Sequence, residues 1–166
     1  MQVTTAEFRK ALGHFATGVT VITVMREDES VHGMTANSFT SVSLEPLEIL
    51  VCVDRRALTY RYIRERKNFA VNILSEDQAA LARFFARPEQ DPATAQSLGI
   101  EFQATERGTP VLPGSLVQLD CKLADAVEAG DHTIFIGEVV DMSAQDGRPL
   151  LFHHGQFKRL GDADPL

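Results

Sequence analysis

Strand-forming runs recur at short spacing along this chain, and that recurrence constrains the fold more than any other feature of the sequence. Val19-Thr20-Val21-Ile22-Thr23-Val24 is β-branched throughout, and such residues suit a pleated, half-buried surface better than a helix. The charged turn Arg26-Glu27-Asp28-Glu29-Ser30 follows and the chain resumes from His32 to Phe39, which predicts a hairpin. Glu48 to Val53, Phe69 to Leu74, Ser115 to Ala126 and Thr133 to Met142 continue the series, and a last pair of short segments ends at Leu160. Few helices interrupt it. Thr4-Thr5-Ala6-Glu7 has the form of a capping box, with Phe8, Ala11, Leu12 and Phe15 on one face of a helix that ends near Gly13 or Gly18. Leu58 to Arg66 has helical composition, and Ser75-Glu76-Asp77-Gln78 caps a helix containing Leu81, Phe84 and Phe85. Strands linked by hairpins predict a mainly β protein with a closed or nearly closed antiparallel barrel. A doubly wound sheet would need regular strand-helix alternation and a glycine-rich first turn, and no GxGxxG or Walker sequence occurs.

The chain has 166 residues, 44% of them hydrophobic, which predicts one domain spanning 1–166 that must hold every ligand itself. A net charge of -7 opposes general affinity for nucleic acid or an anionic membrane, because both require clustered cations. No stretch approaches the roughly 20 apolar residues that cross a bilayer, and the start Met-Gln-Val-Thr-Thr lacks a secretory pattern, so the cytoplasm is expected. Cys52 and Cys121 lack the paired spacing of a zinc site or a redox pair and read as small buried hydrophobes. Residues 87 to 113, rich in Pro, Gln, Asp, Thr and Gly, predict a long, partly ordered excursion able to serve as a lid.

Gly33-Met34-Thr35-Ala36-Asn37-Ser38-Phe39-Thr40-Ser41-Val42-Ser43-Leu44 packs five hydroxyls and one amide together without a charge. Beside the apolar Ile49-Leu50-Val51-Cys52-Val53, such a run suits a neutral, flat, heteroatom-rich ligand and its phosphate, as a flavin would be. The alternative is an ordinary solvated loop or edge strand. His132 follows Gly130-Asp131 at a turn between two strands, within reach of a barrel mouth. His153 and His154 are adjacent, and neighbours on a strand point to opposite faces, so they do not readily share one metal ion; no metal is expected.

From Phe8 to Phe157 the chain resembles the flavin reductase-like family, the small reductases that serve two-component flavin-dependent monooxygenases. The likeness rests on Phe8-Arg9 with Phe15 to Thr23, on Gly33 to Phe39 with Ser43-Leu44-Glu45-Pro46, on Gly130-Asp131-His132-Thr133 with Gly137-Glu138-Val139, and on Pro149 to Gly155. The resemblance implies an FMN-binding split barrel, a six-stranded Greek-key barrel with flanking helices, usually a homodimer. It implies NAD(P)H-dependent reduction of FMN or FAD, with NADH or NADPH as hydride source and the reduced flavin passed to a partner monooxygenase. A non-catalytic flavin-binding protein on the same barrel is the alternative.

Residue by residue, the resemblance places His32, Gly33, Met34, Thr35, Asn37 and Ser38 along the flavin, with Gly33 permitting close backbone approach. Cys52, Val53 and Asp54 match positions beside the ring system, Leu58 and Thr59 positions near the phosphate, and Arg83 and Phe84 a further flavin contact. His132 falls near the nicotinamide, where positioning is expected more than acid catalysis. Phe152, His153, His154 and Gly155 match a segment of the nicotinamide nucleotide site.

Overall fold

The computed structural model describes residues 2–161. In chain order the elements are α1 (Thr5–Leu12), β1 (Thr17–Gly18), β2 (Thr20–Met25), β3 (Val31–Ala36), β4 (Phe39–Leu44), β5 (Leu47–Asp54), α2 (Leu58–Arg66) and β6 (Asn68–Ile73). A 3-10 turn (Glu76–Gln78) then leads into α3 (Ala79–Phe85), α4 (Pro92–Ser97), β7 (Gln103–Ala104), β8 (Pro110–Val111), β9 (Val117–Ala129), β10 (His132–Ala144), β11 (Leu150–His153) and β12 (Gln156–Arg159).

The main sheet runs β3-β2-β6-β9-β10-β5-β4, with every neighbouring pair antiparallel. Its two edge strands, β3 and β4, are consecutive in the chain and separated only by Asn37-Ser38. A link that short spans roughly 10 Å, so the sheet must curl until its edges approach each other there. This is the mainly β, antiparallel architecture expected, with seven strands in the main sheet where six were expected. The extra strand arises because the hydroxyl-rich stretch does not run straight from His32 to Phe39: it breaks at Asn37-Ser38 and resumes as β4. A second sheet, β1-β11-β12, and the small β7-β8 hairpin complete the β structure.

Burial follows the strand period. In β5, Ile49, Val51 and Val53 are buried and alternate with half-buried neighbours, joining Ile22, Val24, Phe69, Val71, Cys121 and Phe135 in the interior, which α2 covers with Tyr62 and Ile63. β2 is buried on both faces, because Val21 packs instead into a second cluster with Leu74, Phe84, Phe85 and Leu112. Burying each such side chain contributes about 1.5–3 kcal/mol. The Cys121 thiol, deep in this interior, is pushed up to about 12 by burial first and by Asp120 second, and burial also raises the half-buried Cys52.

The capping box forms as expected, with the Glu7 amide donating to Thr4 Oγ1 at 3.3 Å and the Thr4 amide to Glu7 Oε2 at 2.9 Å. Among the described residues the apolar face after it covers no core, since no residue of α1 is buried and Phe8, Leu12 and Phe15 are exposed.

The excursion over 87–113 is more firmly held than its composition suggested. Beyond α4 it is tied to the core by Asn72, which is fully buried. The Asn72 amide donates to Val21 O at 2.9 Å and Thr23 Oγ1 at 3.0 Å, and its oxygen accepts from the Leu112 amide at 2.8 Å. Truncating Asn72 strands buried partners at both ends, and Asn72→Ala is expected to cost about 3 kcal/mol in urea unfolding. A change below about 1 kcal/mol would return this segment to the surface-loop class.

Candidate functional site

Two clefts meet at Thr35 and Ala86. The first, about 390 Å³, has β3 residues His32 to Thr35 as its floor, the start of α2 as one wall, and the end of α3 with Arg87, Pro88 and Gln90 as the other. The second, about 190 Å³, is bounded by Val19, Ala36, Asn37, Phe152 and Phe157.

The α2 wall is built to receive an anion. Ala57 caps the helix without any side-chain acceptor, so apart from Tyr60, whose amide donates to Ala57 O at 3.1 Å, the first turn keeps donors at the positive end of the helix dipole. Arg56 stands beside it, held in a forked pair by Asp54 at 3.1 Å (Nε to Oδ1) and 2.7 Å (Nη2 to Oδ2). The Arg56 side-chain and backbone donors hold the Asp54 carboxyl well below the usual carboxylate range. The pair is exposed, so its role is to aim the guanidinium and not to stabilise the fold. Arg87 approaches from the opposite wall.

Several predicted contacts line this space with their polar atoms already engaged. The buried His32 ring lies 3.0 Å from Thr59 Oγ1 through Nε2, while Nδ1 faces Arg26 Nη2 at 3.4 Å. Arginine only donates, so Nδ1 accepts and Nε2 carries the proton that Thr59 receives. Burial first, and Arg26 second, push His32 down to about 4, leaving a neutral imidazole that ties β3 to α2. Thr35 donates to Ala82 O at 2.7 Å. Ser38 donates to Cys52 O at 2.9 Å and accepts from the Cys52 amide at 3.3 Å, stapling the start of β4 to β5. The hydroxyl-rich run is therefore largely structural. Asn37 differs: exposed at the corner, its amide makes no hydrogen bond among the described residues, and it borders the second cleft.

Gly33 also has a packing reason for lacking a side chain. A Cβ built there would stand 2.4 Å from Cδ1 and 2.6 Å from Cε1 of Phe85, so the missing side chain admits the Phe85 ring while the Gly33 backbone stays on the floor of the first cleft. Val53 points wholly into the core, which leaves only its main chain for any outside contact. Phe84 is buried in the α3 cluster, edge-on to Phe85 with centroids 5.0 Å apart. It borders neither of the two clefts. Arg83 lays its guanidinium 5.4 Å from the centroid of the Phe157 ring, outside the second cleft.

Met34 and Leu58 line the first cleft and Phe152 the second. His132 opens β10 directly opposite Asp54, with Nδ1 2.7 Å from Asp131 Oδ1. It stands beside the Arg56 wall and lines neither cleft. His154 and Gly155 form the tight turn between β11 and β12 with φ of 48° and 74°. The His154 ring meets His153 and His14 at centroid distances of 4.3 and 4.2 Å. Among the described residues no group of three or more His, Cys, Asp or Glu side chains has metal-binding geometry, and no helix is long and apolar enough to cross a membrane.

Arg56, Phe85, Arg87, Gln90 and Phe157 were not anticipated. Arg55-Arg56 immediately before an uncapped helix start was a readable signal for the first of these. Gln90 had none, because its partner lies far away in sequence.

A flavin reductase like domain model matches residues 12–161. An NADH-dependent flavin reductase of a Rhodococcus species is 41% identical over 161 residues, covering 96% of this chain and 88% of that protein. The reductase component of a 4-nitrophenol 4-monooxygenase/4-nitrocatechol 2-monooxygenase from Rhodococcus opacus is 39% identical, covering 92% of this chain and 79% of that protein. Among solved structures, the flavin reductase PheA2 superposes with a TM-score of 0.88 at 42% identity, covering 96% of this chain and 100% of that one. The Streptomyces globisporus NADH:FAD oxidoreductase SgcE6, solved with NAD and FAD fragments, superposes at 0.86 with 37% identity over 96% of this chain and 94% of that one. A rolled antiparallel sheet with an anion-ready helix start beside an aromatic cleft defines a class of small ligand-binding barrel; within it, this chain belongs to the flavin reductase-like family.

Proposed function

We propose that this chain transfers hydride from NADH to FMN or FAD and releases the reduced flavin to a separate monooxygenase. It is an NADH:flavin oxidoreductase, and the observation that carries the reading is the pair of clefts meeting at Thr35 and Ala86. One of them ends at the open amides of α2 between Arg56 and Arg87, and the other is walled by Asn37, Phe152 and Phe157. The relatives are named as NADH-dependent flavin reductases and as a monooxygenase reductase component, and one was solved with fragments of both nucleotides.

The residues present fit a flavin phosphate and ring. When bound, flavin supplies the acceptor for a two-electron hydride, so the protein needs no side-chain nucleophile. Arg56, Arg87 and the first-turn amides of α2 hold the phosphate. Asn37, the amide of the hydroxyl-rich run, which has no hydrogen-bond partner among the described residues, offers a hydrogen bond to the heteroatom edge of the ring. Met34, Leu58 and the aromatic wall exclude water from the space where the two rings must meet at near-attack distance. His32 and Thr59 keep β3 and α2 in register behind them, and Ser38 and Cys52 fix the corner from which Asn37 projects.

His132, with Nδ1 on Asp131, presents its other nitrogen to the carboxamide or phosphates of NADH and orients the nicotinamide, while Phe152 to Gly155 border the rest of that nucleotide. His132→Ala is expected to raise KM for NADH about tenfold, the loss of one charge-assisted hydrogen bond, with KM for flavin unchanged. Equal changes in both constants would remove His132 from this role.

The exposed apolar residues Phe8, Leu12, Phe15, Leu44 and Leu47 exceed what a solitary barrel leaves to water and support a homodimer. Light scattering at twice the chain mass is the corresponding result. Use of NADH, a nucleotide regenerated in the cytoplasm, supports a cytoplasmic location.

Anaerobic mixing of the purified protein with excess FMN or FAD and NADH tests the activity. Bleaching of many equivalents of free flavin is expected. Binding without bleaching would instead mark a non-catalytic flavin carrier, the alternative that the second, aromatic-walled cleft argues against.

A further inference from the structure

Residues 86–91, between α3 and α4, belong to no helix or strand, yet Arg87, Pro88 and Gln90 form one wall of the larger cleft. The ends of this strap are secured. The Ala86 and Arg87 amides close the last turn of α3 on Ala82 O and Phe84 O at 3.1 and 3.2 Å, and Asp91 caps α4 through the Thr94 amide at 2.8 Å. Between those ends, one side chain crosses to the barrel. Gln90 Nε2 donates to Gly33 O at 2.7 Å, and the same nitrogen lies 3.4 Å from Arg87 O. An amide nitrogen has two hydrogens, so one group grips both the edge strand and the residue that carries the cationic wall.

The place of attachment is itself rigid. Gly33 lies on β3, an outer strand of the main sheet, whose open side lacks a ladder partner for its carbonyls. The missing Gly33 side chain seats Phe85, one residue before the strap begins. Gly33 thus holds the end of α3 through packing and the strap through its carbonyl, and the strap position depends on one carboxamide.

Resting on the flavin reductase reading above, we infer that Gln90 is a positioning residue that sets the width of the phosphate end of the flavin cleft by fixing Arg87 opposite the start of α2. It touches no reacting atom, so its loss weakens flavin capture and leaves hydride transfer intact once flavin is bound.

Gln90→Met keeps the length and packing of the side chain but has no hydrogen to donate, and Gln90→Glu sets a carboxylate against two carbonyl oxygens. KM for FMN is expected to rise about tenfold in Gln90→Met and further in Gln90→Glu, with kcat and KM for NADH within about twofold of the parent. A second readout needs neither substrate: the glutamate-specific protease that cuts after Glu89 should nick Gln90→Met, which keeps the parent's set of cleavage sites, several-fold faster than the parent, as expected for a loosened strap. A fall in kcat at unchanged KM for FMN, or nicking rates equal to the parent's, would overturn the inference. A parent protein that leaves NADH unoxidised would sink the reductase reading instead, while the nicking comparison still reports on the strap.

Discussion

Gly33→Ala is expected to be among the most damaging single-methyl changes available to this protein. The new Cβ would stand 2.4 and 2.6 Å from two ring carbons of Phe85, far inside van der Waals contact. Either the strand or the ring must shift. Gly33 is paired to Thr23 within the sheet, and Phe85 is packed against Phe84 and Phe102. Overpacking of this kind costs about 1–3 kcal/mol, and a contact this short belongs at the upper end. Because Phe85, Ala86 and Arg87 follow one another into the cleft wall, flavin affinity should fall with stability. Urea unfolding of the variant measures the first effect and flavin titration the second. Pairing it with Phe85→Leu, which vacates the ring, should recover at least half of the lost stability. A single variant within about 0.5 kcal/mol of the parent would show that the sheet edge yields more readily than this packing implies.

Acid should weaken the fold through His32 before any carboxylate is involved. Its imidazole is held near 4 in the native state against an ordinary value of 6.5. Above pH 6.5 neither state carries the proton, and full stability is present. Between about 6.5 and 4 the unfolded chain takes up a proton that the native state refuses, so stability falls as pH falls; below that range both forms are protonated and the loss levels off. His32 is 6% exposed, and the full effect is about 3 kcal/mol. His154, lowered by burial, by its two neighbouring histidines and by Lys10, adds in the same direction. The diagnostic quantity is therefore the difference between the parent and His32→Gln in urea unfolding at pH 7.5 and 5. The parent should lose at least about 1 kcal/mol more than the variant over that interval. The depressed carboxylates Asp54 and Asp131 act at lower pH, as the solution passes below their ordinary range near 4. Parallel pH profiles would mean that His32 protonates in place without cost.

Local signals in the sequence were legible because their partners are close in the chain. Thr4 and Glu7 close a capping box across three residues, Ser75 and Gln78 do the same before α3, and the β-branched run Thr20 to Val24 becomes a strand buried on both faces. The hydroxyl-rich stretch was harder to interpret, because a threonine or serine next to a cleft has the same composition whether it faces a ligand or a distant carbonyl. Thr35 finds Ala82, 47 positions away, and Ser38 finds Cys52, 14 away. The 87–113 segment looked loose for the same reason: the buried amide that secures it, Asn72, lies 40 residues before its partner Leu112. At Gly33 the sequence carries no sign of the Phe85 ring that its missing side chain admits, because that packing depends on which ring arrives opposite. Arg87 and Gln90 owe their places to that same packing of α3 on the edge strand, and no periodicity announces it.

The break at Asn37-Ser38 has a consequence for how such a protein can diversify. The two clefts lie beside β3, an edge of the rolled sheet, where the wall is made of a helix start, a strap and a turn, while the hydrogen-bonded staves carry the core. Substitutions that reshape this wall for a different tail on the flavin or a different nucleotide leave the staves untouched, so selectivity can drift without endangering the barrel that supports it.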